Sequence, residues 1–257
     1  GHLHGLWLPD DLTEIHLATA TPGRPGRSMT RTRRPEFVPH RFQLDESDIV
    51  VMRGLLVTSV ARTWRDLAGV LSLPDLVAAG DMALRLGAHP EELADAIERT
   101  PRRAHTALAR AAFALLDCRS KSRPESHLRV AVSAPDLPRF EVNVQVGRSE
   151  GGWLGEPDLS LEEARLGLEY QGEDHAELRR MRKDLTRFTD FRRDKWLMLP
   201  YGPAEVFGRP WEIEDEVRIA IGERAPHLLR GRRPRRVARV VSSGSSGRAK
   251  LTTRGRN

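Results

Sequence analysis

The chain has 257 residues, 39% of them apolar and only 5% aromatic. That is enough for one large domain or two modest ones with interiors built mainly of Leu, Val, Ile and Ala. No apolar run approaches the ~18 residues of a membrane span, no charged-then-apolar leader opens the sequence, and a lone cysteine, Cys118, excludes an internal disulfide, so the expected setting is a reducing cytoplasm. The formal net charge of +6 is unevenly spread: the segment from Arg230 onward holds ten Lys or Arg and no acid, which leaves residues 1–229 at a net −4.

Gly1 is not an initiator Met, and the abrupt start suggests a fragment or replaced first residues. Glu14 to Thr21 reads as a strand, and Thr21-Pro22-Gly23-Arg24-Pro25-Gly26 breaks it. Basic, β-compatible residues run from Ser28 to Leu44, where Pro35 and Pro39 permit only short or edge strands. Val57-Thr58-Ser59 leads into a helix with Val60, Trp64, Leu67, Ala68 and Leu71 at helical spacing, and Trp64 is expected in the core. Leu76 to Leu86, Pro90 to Glu98 and Arg103 to Leu116 continue the helical run, so residues 1–117 read as one β-then-helical domain. His2, His4 and His16 form no metal-ligand set with any cysteine and are read as structural. Cys118 is read as a packing residue.

A polar connection, Asp117 to Pro124, opens a second unit over residues 118–225. Ser122 caps a helix with Pro124 and Glu125 in its first turn, extending to about Ser133. Glu141 to Val146 alternates, with Val142, Val144 and Val146 inward, and reads as a strand. Two further alternating segments follow, Gly155 to Leu161 and Arg165 to Gly172. If they form a hairpin with a Glu162 to Arg165 loop, Asp158 stands directly opposite Glu169, with roughly 5 Å between Cβ atoms. Gln171 shares that face, while Leu168 and Tyr170 point the other way. Two adjoining carboxylates repel unless a proton or cation lies between them, and a hard divalent ion suits oxygen ligands. His175 to Arg193 reads as a helix, with Leu178, Met181, Leu185 and Phe188 on one stripe and Arg179, Arg180, Arg182, Lys183, Arg187, Arg192 and Arg193 elsewhere. Trp196 to Leu199 is a short buried strand, and Pro210 with Trp211 opens a last helix bearing Ile213, Val217 and Ile221. Residues 226–257 are expected to be a disordered basic tail, attracting phosphates or merely aiding solubility.

The order helix, strand, strand, strand, helix, strand, helix resembles the PD-(D/E)XK nuclease superfamily, with Glu125 on its first helix, Pro157-Asp158 on its second strand and Glu169-Tyr170-Gln171 on its third. The nearest likeness is to very-short-patch-repair-like (Vsr-like) domains, whose Glu-Tyr-Asp-Gly-x-x-His string stands here as Glu169-Tyr170-Gln171-Gly172-Glu173-Asp174-His175, followed by Asp184 and Arg187. The resemblance spans about residues 120–222. It implies an α/β (α+β) chain with a restriction-endonuclease-like αβββαβ domain, acting on DNA with Mg²⁺ or Mn²⁺. Asp158 and Glu169 would be the metal ligands and Glu125 would reach a bound water or second ion, unless it is only a first-turn acid. Gln171 replaces both the frequent Lys of the superfamily and the Asp of the nearer relatives; it can hold a water by hydrogen bonds but supplies neither charge nor base. His175 is the candidate for proton transfer. Arg179, Arg182, Lys183 and Arg187 would face nucleic acid, unless that face is simply solvated and Arg187 simply pairs with Asp184.

The front half resembles the C-terminal part of AbiEi-type antitoxins of type IV toxin–antitoxin systems through His2-Leu3-His4-Gly5-Leu6, Val57-Thr58-Ser59 and Arg62-Thr63-Trp64-Arg65-Asp66-Leu67-Ala68. Such proteins often begin with a winged helix, which would precede Gly1. This likeness implies an alternative: a non-catalytic DNA-binding regulator or antitoxin that retains a nuclease fold, with a toxin as a possible partner.

Overall fold

A computed structural model describes residues 1–20, 37–42, 44–99, 103–172 and 188–231. The chain mixes helices and sheets. Its first strands, β1 (Ile15–Ala20) and β2 (Phe37–Phe42), pair in parallel, with Ile15 beside Phe37. A tight antiparallel hairpin follows, β3 (Ile49–Met52) and β4 (Leu55–Thr58). Arg53 and Gly54 turn it, with φ of 50° and 78°, the pair of positive angles that matches a two-residue turn to strand twist. That hairpin went unread in the sequence, where only Val57-Thr58-Ser59 marks the approach to a helix.

Four helices then pack together: α1 (Val60–Leu67), α2 (Leu73–Arg85), α3 (Pro90–Arg99) and α4 (Arg103–Phe113). Ser59 and Ser72 cap the first two, each accepting a main-chain N–H three residues on. Trp64 is the centre of their core, fully buried among Leu76, Val77, Leu93 and Ile97, with its indole N–H donated to the Leu76 carbonyl at 2.9 Å. Gly80 makes this possible, because a Cβ there would lie 2.7 Å from the Trp64 ring nitrogen. The run Arg62 to Ala68 is thus spent on the interior. Arg62 binds Asp48 at 2.8 Å and Asp66 at 2.9 Å, and Arg65 reaches the Thr106 hydroxyl at 2.9 Å.

The remaining half begins with α5 (Arg123–Ala131), capped by Ser122 as the sequence suggests. A four-stranded sheet follows in the order β10, β9, β8, β5, comprising β5 (Glu141–Val142), β8 (Leu159–Leu161), β9 (Leu166–Tyr170) and β10 (Leu197–Tyr201). Its first two neighbouring pairs in chain order are antiparallel, and β10 runs parallel to β9. One face of the sheet packs Leu159, Leu166 and Leu168 against Leu128 of α5 and Ile213, Val217 and Ile221 of α6 (Pro210–Arg224). A smaller cluster, Val146, Leu154, Phe191 and Trp196 with Met198, forms on the other side. There Gly167 leaves room for the Met198 sulfur and Pro157.

The expected Glu141 to Val146 strand is broken. Asn143 adopts φ 48°, a left-handed conformation that Asn tolerates better than most residues. Beyond it Val146–Gly147 (β6) leaves the sheet to pair with Trp153–Gly155 (β7). The first residues of the expected tail are ordered on the fold. Pro226–Leu228 forms a 3-10 turn, Leu228 and Leu229 pack on the main core, and the Arg230 N–H reaches the Asp136 carbonyl at 2.9 Å. Residues 232–257 lie outside the described residues. Among the described residues no helix is long and apolar enough to cross a membrane.

The two halves meet along α2 and α5. Asp81, fully buried on α2, accepts the Ser126 hydroxyl at 2.6 Å, the Asp117 N–H at 2.7 Å and the Arg129 guanidinium. Asp75, one and a half turns earlier, accepts from Arg123 at 2.7 Å and His127 at 2.9 Å, while Ser72 donates to its other oxygen at 2.6 Å.

Candidate metal centre

The hairpin carrying the two acids has the register expected from its loop. Leu159 pairs with Leu168, Ser160 with Gly167 and Leu161 with Leu166, around a 3-10 turn at Glu162–Ala164 and a left-handed Arg165 with φ 45°. Extending that ladder by one residue sets Asp158 opposite Glu169. Pairing stops short of them. Pro157 precedes Asp158 on one strand, and the Tyr170 N–H, which points toward that strand, goes instead to the Asp158 carboxylate at 2.8 Å. The side chain thus fills the gap where β8 and β9 part. Alternation places Asp158 and Glu169 on the sheet face opposite Leu159 and Leu168. Asp158 is half-buried and Glu169 only 4% exposed.

Glu125 approaches the same end of the sheet from α5. Its carboxylate accepts the Ser122 hydroxyl at 2.9 Å, the Lys121 N–H at 2.8 Å and the Asn143 side-chain amide at 2.8 Å. Ser122 in turn accepts the Glu125 N–H at 3.4 Å. These reciprocal bonds are those of a helix cap. Of the two roles open to Glu125, capping is the one its hydrogen bonds display. Asn143 connects the pieces, since its own N–H is donated to the Asp158 carbonyl at 3.0 Å. Its left-handed backbone aims both groups at once.

Gln171 is exposed just past β9, with its N–H donated to the Tyr201 carbonyl at 2.8 Å. His175, Arg179, Arg182, Lys183, Arg187 and Asp184 lie outside the described residues. Three residues near the site were not singled out in the sequence: Asn143, Lys121 and Glu156. Asn in the middle of an otherwise alternating Val run was the available signal for the first. Nothing in the spacing of the other two reveals that the Lys121 ammonium pairs with the Glu156 carboxylate, two residues before Asp158.

A divalent ion is testable against this donor set. Asp158 and Glu169 place carboxylates on adjoining strands, and Glu125 accepts from three donors. Among the described residues, no group of three or more His, Cys, Asp or Glu converges as a metal site. Mg²⁺ commonly keeps several waters and takes only one or two protein carboxylates, with substrate phosphates completing its shell. Two carboxylates are the number such an ion takes from protein, and the hydrogen bonds of Glu125 are those of a helix cap. A separate cleft of about 380 Å³ is lined by Asp11, Leu12, Leu71, Ser72 and Asp75 of the first half and by Arg123. Of its two acids, Asp75 already holds Ser72, Arg123 and His127.

Comparison with protein-family models, with curated proteins and with solved structures finds no match to this chain.

Proposed function

We propose that residues 118–225 form a PD-(D/E)XK-type, Vsr-like endonuclease domain that hydrolyses DNA phosphodiesters with Mg²⁺ or Mn²⁺. The observation that carries this reading is the parting of β8 and β9 at Asp158 and Glu169, with the Asp158 carboxylate crossing to the Tyr170 N–H. The sheet order β5, β8, β9, β10, with only the last pair parallel, supports an αβββαβ core. An ion held by Asp158 and Glu169 would lower the pKa of a water and offset phosphate charge. The chain's own contribution is positional. Asn143 and Tyr170 hold Asp158 through its carbonyl and carboxylate, and Gln171, exposed at the strand end, is available to orient a water. His175 remains the candidate for proton transfer, and Arg179, Arg182, Lys183 and Arg187 for phosphate contact.

A second reading is a regulator or type IV antitoxin-like protein that binds DNA without cutting it. Two observations favour it: Glu169 is almost completely buried, and Gln171 supplies no charge. Incubation of purified protein with supercoiled plasmid, with and without Mg²⁺ or Mn²⁺, separates the two. The nuclease reading expects metal-dependent nicking that Asp158→Ala and Glu169→Ala strongly reduce. Uncut plasmid at every metal tested, together with a mobility shift, selects the regulator.

A further inference from the structure

A phosphodiester approaching two carboxylates is repelled by both, so a site of this kind requires positive charge from the protein as well as from any ion. We infer that Lys121, in the connection between the two halves, is a phosphate-binding cation of the Asp158/Glu169 site. The inference rests on reading that end of the sheet as a nucleic-acid site.

Lys121 is tied to the site by a short chain of bonds. Its main-chain N–H and the Asn143 side chain both donate to the same oxygen of Glu125, each at 2.8 Å. Asn143 in turn donates its N–H to the Asp158 carbonyl at 3.0 Å. The Lys121 ammonium reaches forward to Glu156. Glu156 and Asp158 flank Pro157, so the ammonium is anchored two residues from the acid that heads β8. The neighbouring cation is differently placed, since the Arg119 guanidinium is committed to Asp117 at 2.8 Å and Glu141 at 3.1 Å.

The Lys121–Glu156 pair is exposed enough to be exchanged. Their side chains retain 55% and 28% of their accessibility, and an ion pair so open to solvent is easily broken. A phosphate oxygen can therefore replace the Glu156 carboxylate as the partner of the ammonium, one anion for another, while the main-chain bond at Lys121 stays in place. Glu156 acts as a holder that keeps the ammonium at the strand end and competes with substrate for it.

The test is binding of a fluorescent duplex oligonucleotide to the full chain, without divalent ion, at salt concentrations from roughly 50 to 200 mM. Losing one phosphate contact should flatten the slope of log affinity against log salt by about 0.9. Lys121→Ala is expected to do this and to weaken binding several-fold. Lys121→Arg should retain the slope, and Glu156→Gln should tighten binding. Arg110→Ala removes an equally exposed cation that pairs with Glu98 on the helical half, and it should leave the slope unchanged. Should Lys121→Ala fail to fold, Lys121→Gln keeps most of the stem and reads the same quantity. An unchanged slope in Lys121→Ala and Lys121→Gln overturns the assignment, as does a loss equal to that of Arg110→Ala or the absence of any binding by the unaltered chain. Plasmid cutting is scored separately. A flattened slope with plasmid never cut leaves Lys121 assigned and removes the nuclease, whereas metal-dependent cutting with an unchanged slope removes only Lys121.

Discussion

Two pairs of acids in this protein, Asp75 with Asp81 and Asp158 with Glu169, each join one buried and one half-buried carboxyl. On α2, Asp75 and Asp81 are gripped by side chains of α5, among them Arg123, His127 and Arg129. At the end of the β8–β9 hairpin, the described hold on Asp158 is a main-chain N–H, from the residue next to Glu169. A carboxylate matched by a neighbouring guanidinium is a fastening, and removing it strands a buried cation. The Tyr170 N–H, by contrast, fixes the Asp158 carboxylate at the point where β8 and β9 part. On the function proposed above, the first pair serves stability and the second chemistry, although all four look alike in composition.

The largest expected effect comes from Asp81→Ala. It leaves Arg129 buried beside an empty place, and the unfolding free energy should fall by about 3–5 kcal/mol, measured by urea titration. Asp158→Ala and Glu169→Ala should instead reduce metal-dependent cutting on the order of 10²–10³-fold, or about 3–4 kcal/mol of activation free energy, while retaining a cooperative thermal transition. Equal losses of stability at both pairs would erase the distinction. Acid titration gives a subtler check. Burial alone would raise the Asp75 pKa, but hydrogen bonds from His127, Ser72 and Arg123 outweigh it and hold the group well below the usual carboxylate range. An acid with a lower pKa in the folded state binds fewer protons there, so its contribution is full above the unfolded value near 3.9 and is lost as pH falls through the folded one. The urea midpoint should therefore drop below about pH 4, and Asp75→Asn should flatten that drop. Burial pushes the Asp81 carboxyl the other way, against Arg129 and the Asp117 N–H. The smallest effect is expected at the cap: Glu125→Ala should cost about 1 kcal/mol and change cutting only a few-fold. Cutting that collapses as it does in Asp158→Ala would make Glu125 a ligand after all.

The sequence was most legible where its periodicity was left intact. Alternation in Gly155 to Leu161 and Arg165 to Gly172 is strong enough to set a register, and the Glu162 to Arg165 break is short enough to centre it. The Asp158 and Glu169 relationship follows from those two facts alone. The Val142, Val144, Val146 pattern was equally regular and misled, because alternation counts side chains and takes no account of a single left-handed residue. Asn143 changes direction there, and in doing so serves both Glu125 and Asp158. The β3–β4 hairpin escaped for a related reason. Val51 and Leu56 are 73% and 77% exposed, so those strands carry no inward stripe by which to recognise them. Glu125 was readable as a first-turn acid, but its third donor, Asn143, lies 18 residues away and becomes visible only with tertiary structure. Lys121 and Glu156 are 35 residues apart, and no local pattern connects them.

The α2–α5 contact also bears on the polypeptide between the halves. Residues 118–121 join them covalently, yet the buried bonds of Asp81 and the half-buried ones of Asp75 hold them together without that strip of backbone. A single protease cut there, beside the exposed Cys118, should yield two fragments that migrate as one particle in a sizing column and separate only in denaturant. The junction is a tether across an existing joint, and mobility between the halves would require α2 and α5 to come apart first.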